Sequence, residues 1–181
     1  MEKHGVSPRG VHWISQQTQY KRFYILTLFF KDEIKNSSII DAGCGFAEYY
    51  NYLVDKRLRP KSYKGYDIED IMIQKAKRRF PALDLEQKDI LKDELEVADY
   101  YICSGAMNIL TKEEMFEFIN RCFTASKKGF AFNFLKKDSF NKVSASEILS
   151  HCKHLSKQIY IKDNYLENDI SIYLKKHYLT N

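Results

Sequence analysis

The sequence lacks several features, and each absence removes a class of protein. No stretch of about 18 apolar residues occurs, and no early segment joins a basic start to an apolar run. Neither a membrane span nor secretion is indicated, and a cytoplasmic protein is expected. Cysteine is sparse: Cys44, Cys103, Cys122 and Cys152 lie far apart and form no C-x-x-C pair. That leaves a disulfide framework or a structural zinc unsupported and reads all four as reduced, core or near-core residues; no metal site is expected. A continuous basic stripe is also missing. The formal charge is +5, and Lys56, Arg57, Arg59, Lys61 and then Lys75, Lys77, Arg78, Arg79 make two basic clusters, but Asp67, Glu69, Asp70 and Asp93, Glu94, Glu96 interrupt them. This counts against a dedicated nucleic-acid groove and leaves only a mild attraction for anions.

What is present suffices for one domain. A chain of 181 residues can bury roughly two thirds of its extended surface in a single core. The hydrophobic share is 44%, with 12 Phe and 13 Tyr to fill that core and line a pocket. Residues 1–14 mix Gly, Pro and His without a period and read as an irregular arm. Ser15 then caps a helix over 16–34, where Tyr20, Phe23, Tyr24, Leu26, Leu28, Phe29 and Ile34 recur at helical spacing. A short apolar burst, Ile39-Ile40, leads through a glycine turn into a helix over 47–58, stopped by Pro60. The unit repeats: a strand from Ser62 to Asp67 and a helix ended by Pro81, then a third strand over 83–90 that closes at Asp89. A fourth strand spans 97–103, a helix follows with Thr111 and Glu114 as a capping box, and a fifth strand spans 129–135. A helix over 144–155 precedes strands at 157–163 and 169–176.

Strands alternating with helices call for an α/β fold, a mostly parallel sheet covered on both faces. The last two strands depart from that rule, since only Asn164-Tyr165-Leu166-Glu167-Asn168 separates them. They predict an antiparallel hairpin at one edge.

The functional signal is the turn Asp41-Ala42-Gly43-Cys44-Gly45-Phe46-Ala47-Glu48. In such sheets a ligand lies beyond the carboxyl ends of the strands, and the first strand-to-helix turn lines that crevice. Gly43 and Gly45 allow backbone to approach a ligand closely. The dinucleotide fingerprint G-x-G-x-x-G/A fails because its third small residue is Glu48 here, and a phosphate-binding G-x-x-x-x-G-K-[ST] loop is absent. Acidic Asp41 and Glu48 disfavour polyphosphate and suit a ligand with positive charge. Asp67 follows Gly45 by 22 residues at the second strand end, where a carboxylate can hold ribose hydroxyls. Asp89 stands at the third strand end beside apolar Ile90, suited to an adenine amino group and ring. Three acids at successive strand ends point to S-adenosylmethionine.

On these residues the chain resembles the class I S-adenosylmethionine-dependent methyltransferases. The likeness covers about Ser38 to Lys176: DAGCG, GYDIE, the DI pair of QKDI, ICSGAMNIL and the closing hairpin. It implies a single Rossmann-like domain with a seven-stranded sheet in the order 3-2-1-4-5-7-6. Asp41, Gly43 and Gly45 would border the methionine part of the cofactor, Asp67 with Ile68 the ribose side, Asp89 and Ile90 the adenine, and Ser104 and Gly105 the departing methyl. Ala47 stands where the family usually has a third glycine. The leading segment is similar to a small group of functionally unassigned members with a Ser-Pro arm, a Trp and a Gln-x-x-Arg-Phe helix start. That implies residues 1–37 as a lid over a 38–181 cofactor domain, with Trp13, Gln19 and Arg22 closing the mouth and Arg22 facing the methionine carboxylate.

Methyl transfer from a sulfonium is a direct displacement, so alignment and exclusion of water come first. A base is needed only for a protonated nucleophile; His12 and His151 are the candidates, and no catalytic residue is assigned. The fourth strand end lacks the Asn or Asp-Pro-Pro-aromatic run typical of exocyclic base methylation, and Cys103 lacks the preceding proline of pyrimidine carbon-5 enzymes. A small-molecule acceptor therefore leads, near Met107, Asn108, Tyr165 and Phe134, the last read mainly as core. RNA or protein methylation is the second reading, and a non-catalytic cofactor-binding or interaction protein the third.

Overall fold

A computed structural model describes residues 16–137 and 142–177. The expectations placed on Trp13, His12 and the Ser15 cap lie outside the described residues. Seven strands form one sheet: β1 (Ser38–Ala42), β2 (Ser62–Asp67), β3 (Asp84–Gln87), β4 (Ala98–Ser104), β5 (Ser126–Leu135), β6 (Gln158–Lys162) and β7 (Asp169–Lys175). Their order is β3-β2-β1-β4-β5-β7-β6, as the resemblance implies. The strands β1 to β5 run parallel, and β7 pairs antiparallel with both β5 and β6, which forms the expected edge hairpin. Helices α1 (Gln16–Leu28), α2 (Glu48–Asp55), α3 (Asp70–Arg79), α4 (Lys112–Ala125) and α5 (Ala145–Leu155) cover the sheet.

Successive residues of a strand face opposite sides, and the core divides accordingly. Phe130, Phe132 and Phe134 of β5 join Ile170, Ile172 and Leu174 of β7 in one layer, closed by Met115, Ile119 and Phe123 of α4 and Ile148 of α5. Ile39, Tyr63, Tyr100, Ile102, Ala131 and Tyr173 face the other way, against Phe23 and Leu26 of α1 and Tyr49 and Tyr52 of α2. Capping boxes start α4 at Thr111 with Glu114 and α5 at Ser144 with Glu147. Each supplies two backbone donors with partners where a helix begins.

Several elements differ from the sequence reading: α2 ends at Asp55, well before Pro60, with left-handed Arg57 just after its cap, and β5 begins at Ser126. The first helix stops at Leu28 and resumes as a 3-10 segment, Lys31–Asn36. Phe29 stacks on Tyr173 at 5.6 Å and Phe30 on Tyr100 at 4.5 Å. An unbroken helix turns adjacent side chains about 100° apart, so bringing both rings onto the sheet requires the break. Strand β3 ends at Gln87, short of Asp89. Asp89 ends the pairing by making local bonds instead: its Oδ1 accepts the Leu91 N–H at 2.9 Å, and its own N–H donates to Asp93 Oδ2 at 2.8 Å. No described helix is long and apolar enough to cross a membrane.

Gly129 marks a close approach of β5 to β7. An added Cβ would fall 2.4 Å from the Leu174 carbonyl oxygen and 2.5 Å from the Tyr173 ring. Gly129→Ala is expected to lower the unfolding free energy by about 2 kcal/mol in urea titration. An unchanged midpoint would show that β7 yields without loss.

Candidate functional site

The turn after β1 is built from backbone outward. Gly43 and Cys44 both donate their N–H groups to the Tyr66 carbonyl, at 2.8 and 2.9 Å, so the chain leaving β1 is tied to the end of β2. Gly43 has φ +83°, and a Cβ there would lie 2.2 Å from the Ala106 methyl carbon. Only glycine lets this turn approach the segment that follows β4. At Gly45, with φ +53°, no atom lies within 4 Å of where a Cβ would be. Its N–H donates to Asp67 Oδ2 at 2.8 Å, while Asp67 Oδ1 accepts the Glu69 N–H at 3.0 Å. Asp67 therefore braces the turn as well as standing at the β2 end, and burial raises its carboxyl above the usual range. Ala47 also adopts left-handed dihedrals, φ 59° and ψ 35°. Replacing the customary glycine thus costs backbone strain, about 1 kcal/mol, beyond the question of size.

Asp41 is buried, and its Oδ2 accepts the Tyr63 hydroxyl at 2.5 Å. Burial pushes its carboxyl up to about 7, partly opposed by the Tyr63 hydrogen bond and reinforced by the nearby Asp67 charge. Cys44 packs with its sulfur against Gly65, and burial holds its thiol well above the ordinary value. Cys103 is buried as well, its thiol pushed up to about 12 by the same cause. Glu48 opens α2 and is engaged by both terminal nitrogens of Arg79 from α3. Its charge is therefore matched within the fold. What opposes a polyphosphate at this turn is instead Asp67, whose carboxylate already occupies the Gly45 N–H.

At the β2 and β3 ends, Ile68 is 56% exposed whereas Ile90 is only 5% exposed and belongs to the core layer under α4. The apolar surface available to a flat ring beside Asp67 is thus that of Ile68, while Ile90 is taken up by the core. Asp89 keeps partial exposure, with Lys92 at 3.1 Å from its Oδ2.

Across β4 the polar groups are of another kind. Ser104 closes β4 in register with Asn133 of β5, which is in register with Ser171 of β7. Asn133 donates from Nδ2 to Asp169 Oδ1 at 3.0 Å. Arg22 of α1 grips the same carboxylate twice, Nε to Oδ1 at 2.5 Å and Nη2 to Oδ2 at 3.1 Å. The guanidinium expected to face a ligand carboxylate therefore faces one supplied by the chain. Asn108 Oδ1 accepts the Leu135 N–H at 3.0 Å, Tyr165 pairs with Ser171 at 2.8 Å, and Met107 and Phe134 are core. His151 lies between α4 and α5, stacked on Phe116 and bonded to Asn120, and none of the strand-end residues is among its partners. Asn133 and Asp169 were missed from sequence. The available signal was a single amide in the otherwise apolar Gly129-Phe-Ala-Phe-Asn-Phe-Leu135. Among the described residues no group of three His, Cys, Asp or Glu side chains is placed to hold a metal.

The family model for the methyltransferase domain matches residues 39–129, just over half of the chain. No curated protein matches it in sequence. Among solved structures, an S-adenosylmethionine-dependent methyltransferase from Clostridium acetobutylicum aligns with TM-score 0.71 at 14% identity, covering 93% of this chain and 95% of that one. Magnesium protoporphyrin IX methyltransferase from Synechocystis PCC 6803, with bound SAH, aligns with TM-score 0.70 at 12% identity over 88% and 84%. A TehB-like SAM-dependent methyltransferase from Corynebacterium glutamicum gives 0.69 at 16% over 87% and 88%. At these identities the likeness concerns the fold.

The raised carboxyl of Asp41 has a pH consequence. An unfolded Asp ionises near pH 4, so the folded state binds more protons between about pH 4 and 7, and stability falls as pH rises through that window. Asp41→Asn removes this contribution. Urea unfolding at pH 4.5 and 7.5 should show the wild type losing stability relative to the variant, by no more than about 4 kcal/mol. Parallel pH profiles would place the Asp41 charge in contact with water.

Proposed function

The chain belongs to the methyltransferase-domain family, and we propose that it is an S-adenosylmethionine-dependent methyltransferase with a small-molecule acceptor. The observation that carries the reading is the brace between Gly45 and Asp67. It leaves open space at Gly45 and sets a carboxylate at the end of β2, with each oxygen holding one backbone N–H and a second lone pair still available. Such a carboxylate takes two ribose hydroxyls. Gly43 and Gly45 bring backbone close to the methionine part, and Ile68 offers an apolar face to adenine near Asp89 and Ile90. With the Asp67 carboxylate on the Gly45 N–H, the turn disfavours a pyrophosphate.

When bound, S-adenosylmethionine supplies a sulfonium methyl that a nucleophile takes by displacement, the sulfur keeping the electron pair of the broken bond. The residues of this chain bind, orient and exclude water. Ser104 stands beside the reacting region at the end of β4. Residues 1–37 serve as a lid, a reading supported in the described part by Gln19 and Arg22 of α1, buried over the ends of β5 and β7. Membership of the small Ser-Pro/Trp/Gln-x-x-Arg-Phe group is part of the same proposal. No side chain is assigned as base, and a proton shed by the nucleophile passes to water.

Calorimetry should show binding of S-adenosylhomocysteine and none of NAD; the reverse result overturns the reading. Asp67→Ala should weaken the former by about 1.5 to 3 kcal/mol through loss of charged hydrogen bonds. Unchanged affinity would remove Asp67 from the ribose.

A further inference from the structure

The two edges of the sheet are closed differently. At one, β3 is only 4 residues long and carries the charges of Asp84 and Glu86, a common protection of an edge strand. At the other, β6 is the last strand in the order, and among the described residues no strand lies on its outer side. Its centre is Ile159-Tyr160-Ile161, with Tyr160 47% and Ile161 44% exposed. Tyr160 stacks on Tyr173 and lines a groove of about 400 Å³ together with Leu28, Phe29 and Tyr173. Leu28 is exposed there, and exposed Tyr24, one turn earlier on α1, continues the apolar surface. Continuous exposed apolar surface of this kind marks an interaction site.

The hydrogen-bond pattern tells which backbone groups of β6 are open. Between β5 and β7, Lys176 N–H donates to the Lys128 carbonyl and Lys136 N–H to the Asn168 carbonyl, so the even-numbered residues of β7 bond β5. Rungs alternate in an antiparallel pair, which leaves Ser171, Tyr173 and Lys175 to bond β6. Their partners in register are Lys162, Tyr160 and Gln158. Ile159 and Ile161 therefore turn their N–H and C=O groups to the open side. A second β6 running antiparallel can bond them only where odd-numbered residues face each other. The register centred on Tyr160 meets that condition and pairs all 5 residues of the strand. It sets Ile159 against the partner's Ile161 and the reverse, each pair exchanging both N–H···O bonds. Gln158 faces the partner's Lys162, and just beyond the strand Lys157 faces the partner's Asp163. Opposite charges meet and no lysine faces a lysine, so the segment Lys157 to Asp163 is complementary to itself about its centre.

We propose that β6 is the interface of a homodimer, in which two copies of this chain join their sheets through antiparallel β6 strands centred on Tyr160. The two Tyr160 rings meet on the groove side, in the kind of pair where side chains approach closely. On the opposite face each Ile161 is covered by the partner's Ile159. Asp163 holds Lys136 at 2.7 Å, and its carboxylate has lone pairs left for the partner's Lys157. This edge lies away from β1, β2 and β3, so the dimer does not depend on the cofactor reading.

Sedimentation equilibrium of the full chain is expected to show a dimer at about 100 μM that dissociates on dilution, as a small interface does. Ile161→Pro removes an N–H that points outward and leaves the rungs to β7 intact. It should weaken the dimer about tenfold or more. Lys157→Glu sets acids opposite each other and should weaken the dimer severalfold, as should Asp163→Lys, which sets lysines opposite each other. Combining Lys157→Glu with Asp163→Lys should restore dimerisation. These surface variants serve if the proline variant does not fold. Hydrogen exchange should find the Ile159 and Ile161 amides protected in the dimer and open after dilution. A wild type that stays monomeric, a dimer unmoved by Ile161→Pro and Lys157→Glu, or a double variant as weak as its parents overturns the proposal. So does protection of both amides in a monomer, which would assign the edge to another segment of the same chain.

Discussion

The paired hydrogen bonds from Gly43 and Cys44 to the Tyr66 carbonyl set the geometry on which the site depends. They oblige the chain to leave β1 at the level where β2 ends. Asp67, the next residue of β2, then stands within reach of the Gly45 N–H. The same turn presses so near Ala106 that a methyl group on Gly43 would overlap it, and this fixes the segment after β4 relative to β1. Three strand ends are thereby held in one arrangement by backbone atoms, with little left to the flexibility of side chains.

Burial gives each polar group at this edge a different character. Asp41 lies against Tyr63 without a cation, so its neutral form is favoured as burial penalises the charge. Asp169 is equally buried but gripped by Arg22 and Asn133. Such an ion pair contributes little net stability once desolvation is counted, and its use lies in specificity: breaking either partner would strand a charge, so α1 has one seat on the sheet. The polar edge under α1 and the apolar layer below it consequently dock as a unit.

Much of the fold was legible in local pattern. Alternating strand and helix periods, the proline that follows α3, the Thr111–Glu114 capping box and the short link before β7 each report a near-neighbour constraint, and the sheet obeys them. The errors fell where a tertiary contact overrode a local one. Phe29 and Phe30 break the first helix to reach Tyr173 and Tyr100, and Asp89 leaves the strand to bond Leu91. At the site, the glycines and Asp67 were legible because backbone conformation and strand-end position depend on a few adjacent residues. Asn133 and Asp169 were hidden because their meaning depends on partners brought together by the fold.

The sequence by itself determined the α/β alternation, the edge hairpin and the acid-flanked glycine turn, since hydrophobic period, turn chemistry and residue type act over a few residues. Only the tertiary structure decided which way the side chains turn: Glu48 to Arg79, Ile90 into the core with Ile68 outward, and Arg22 to a carboxylate 147 residues away. The reason is range. A backbone period is set by neighbours along the chain, whereas the partner of a buried polar group is chosen by whatever the packed sheet brings within hydrogen-bonding distance.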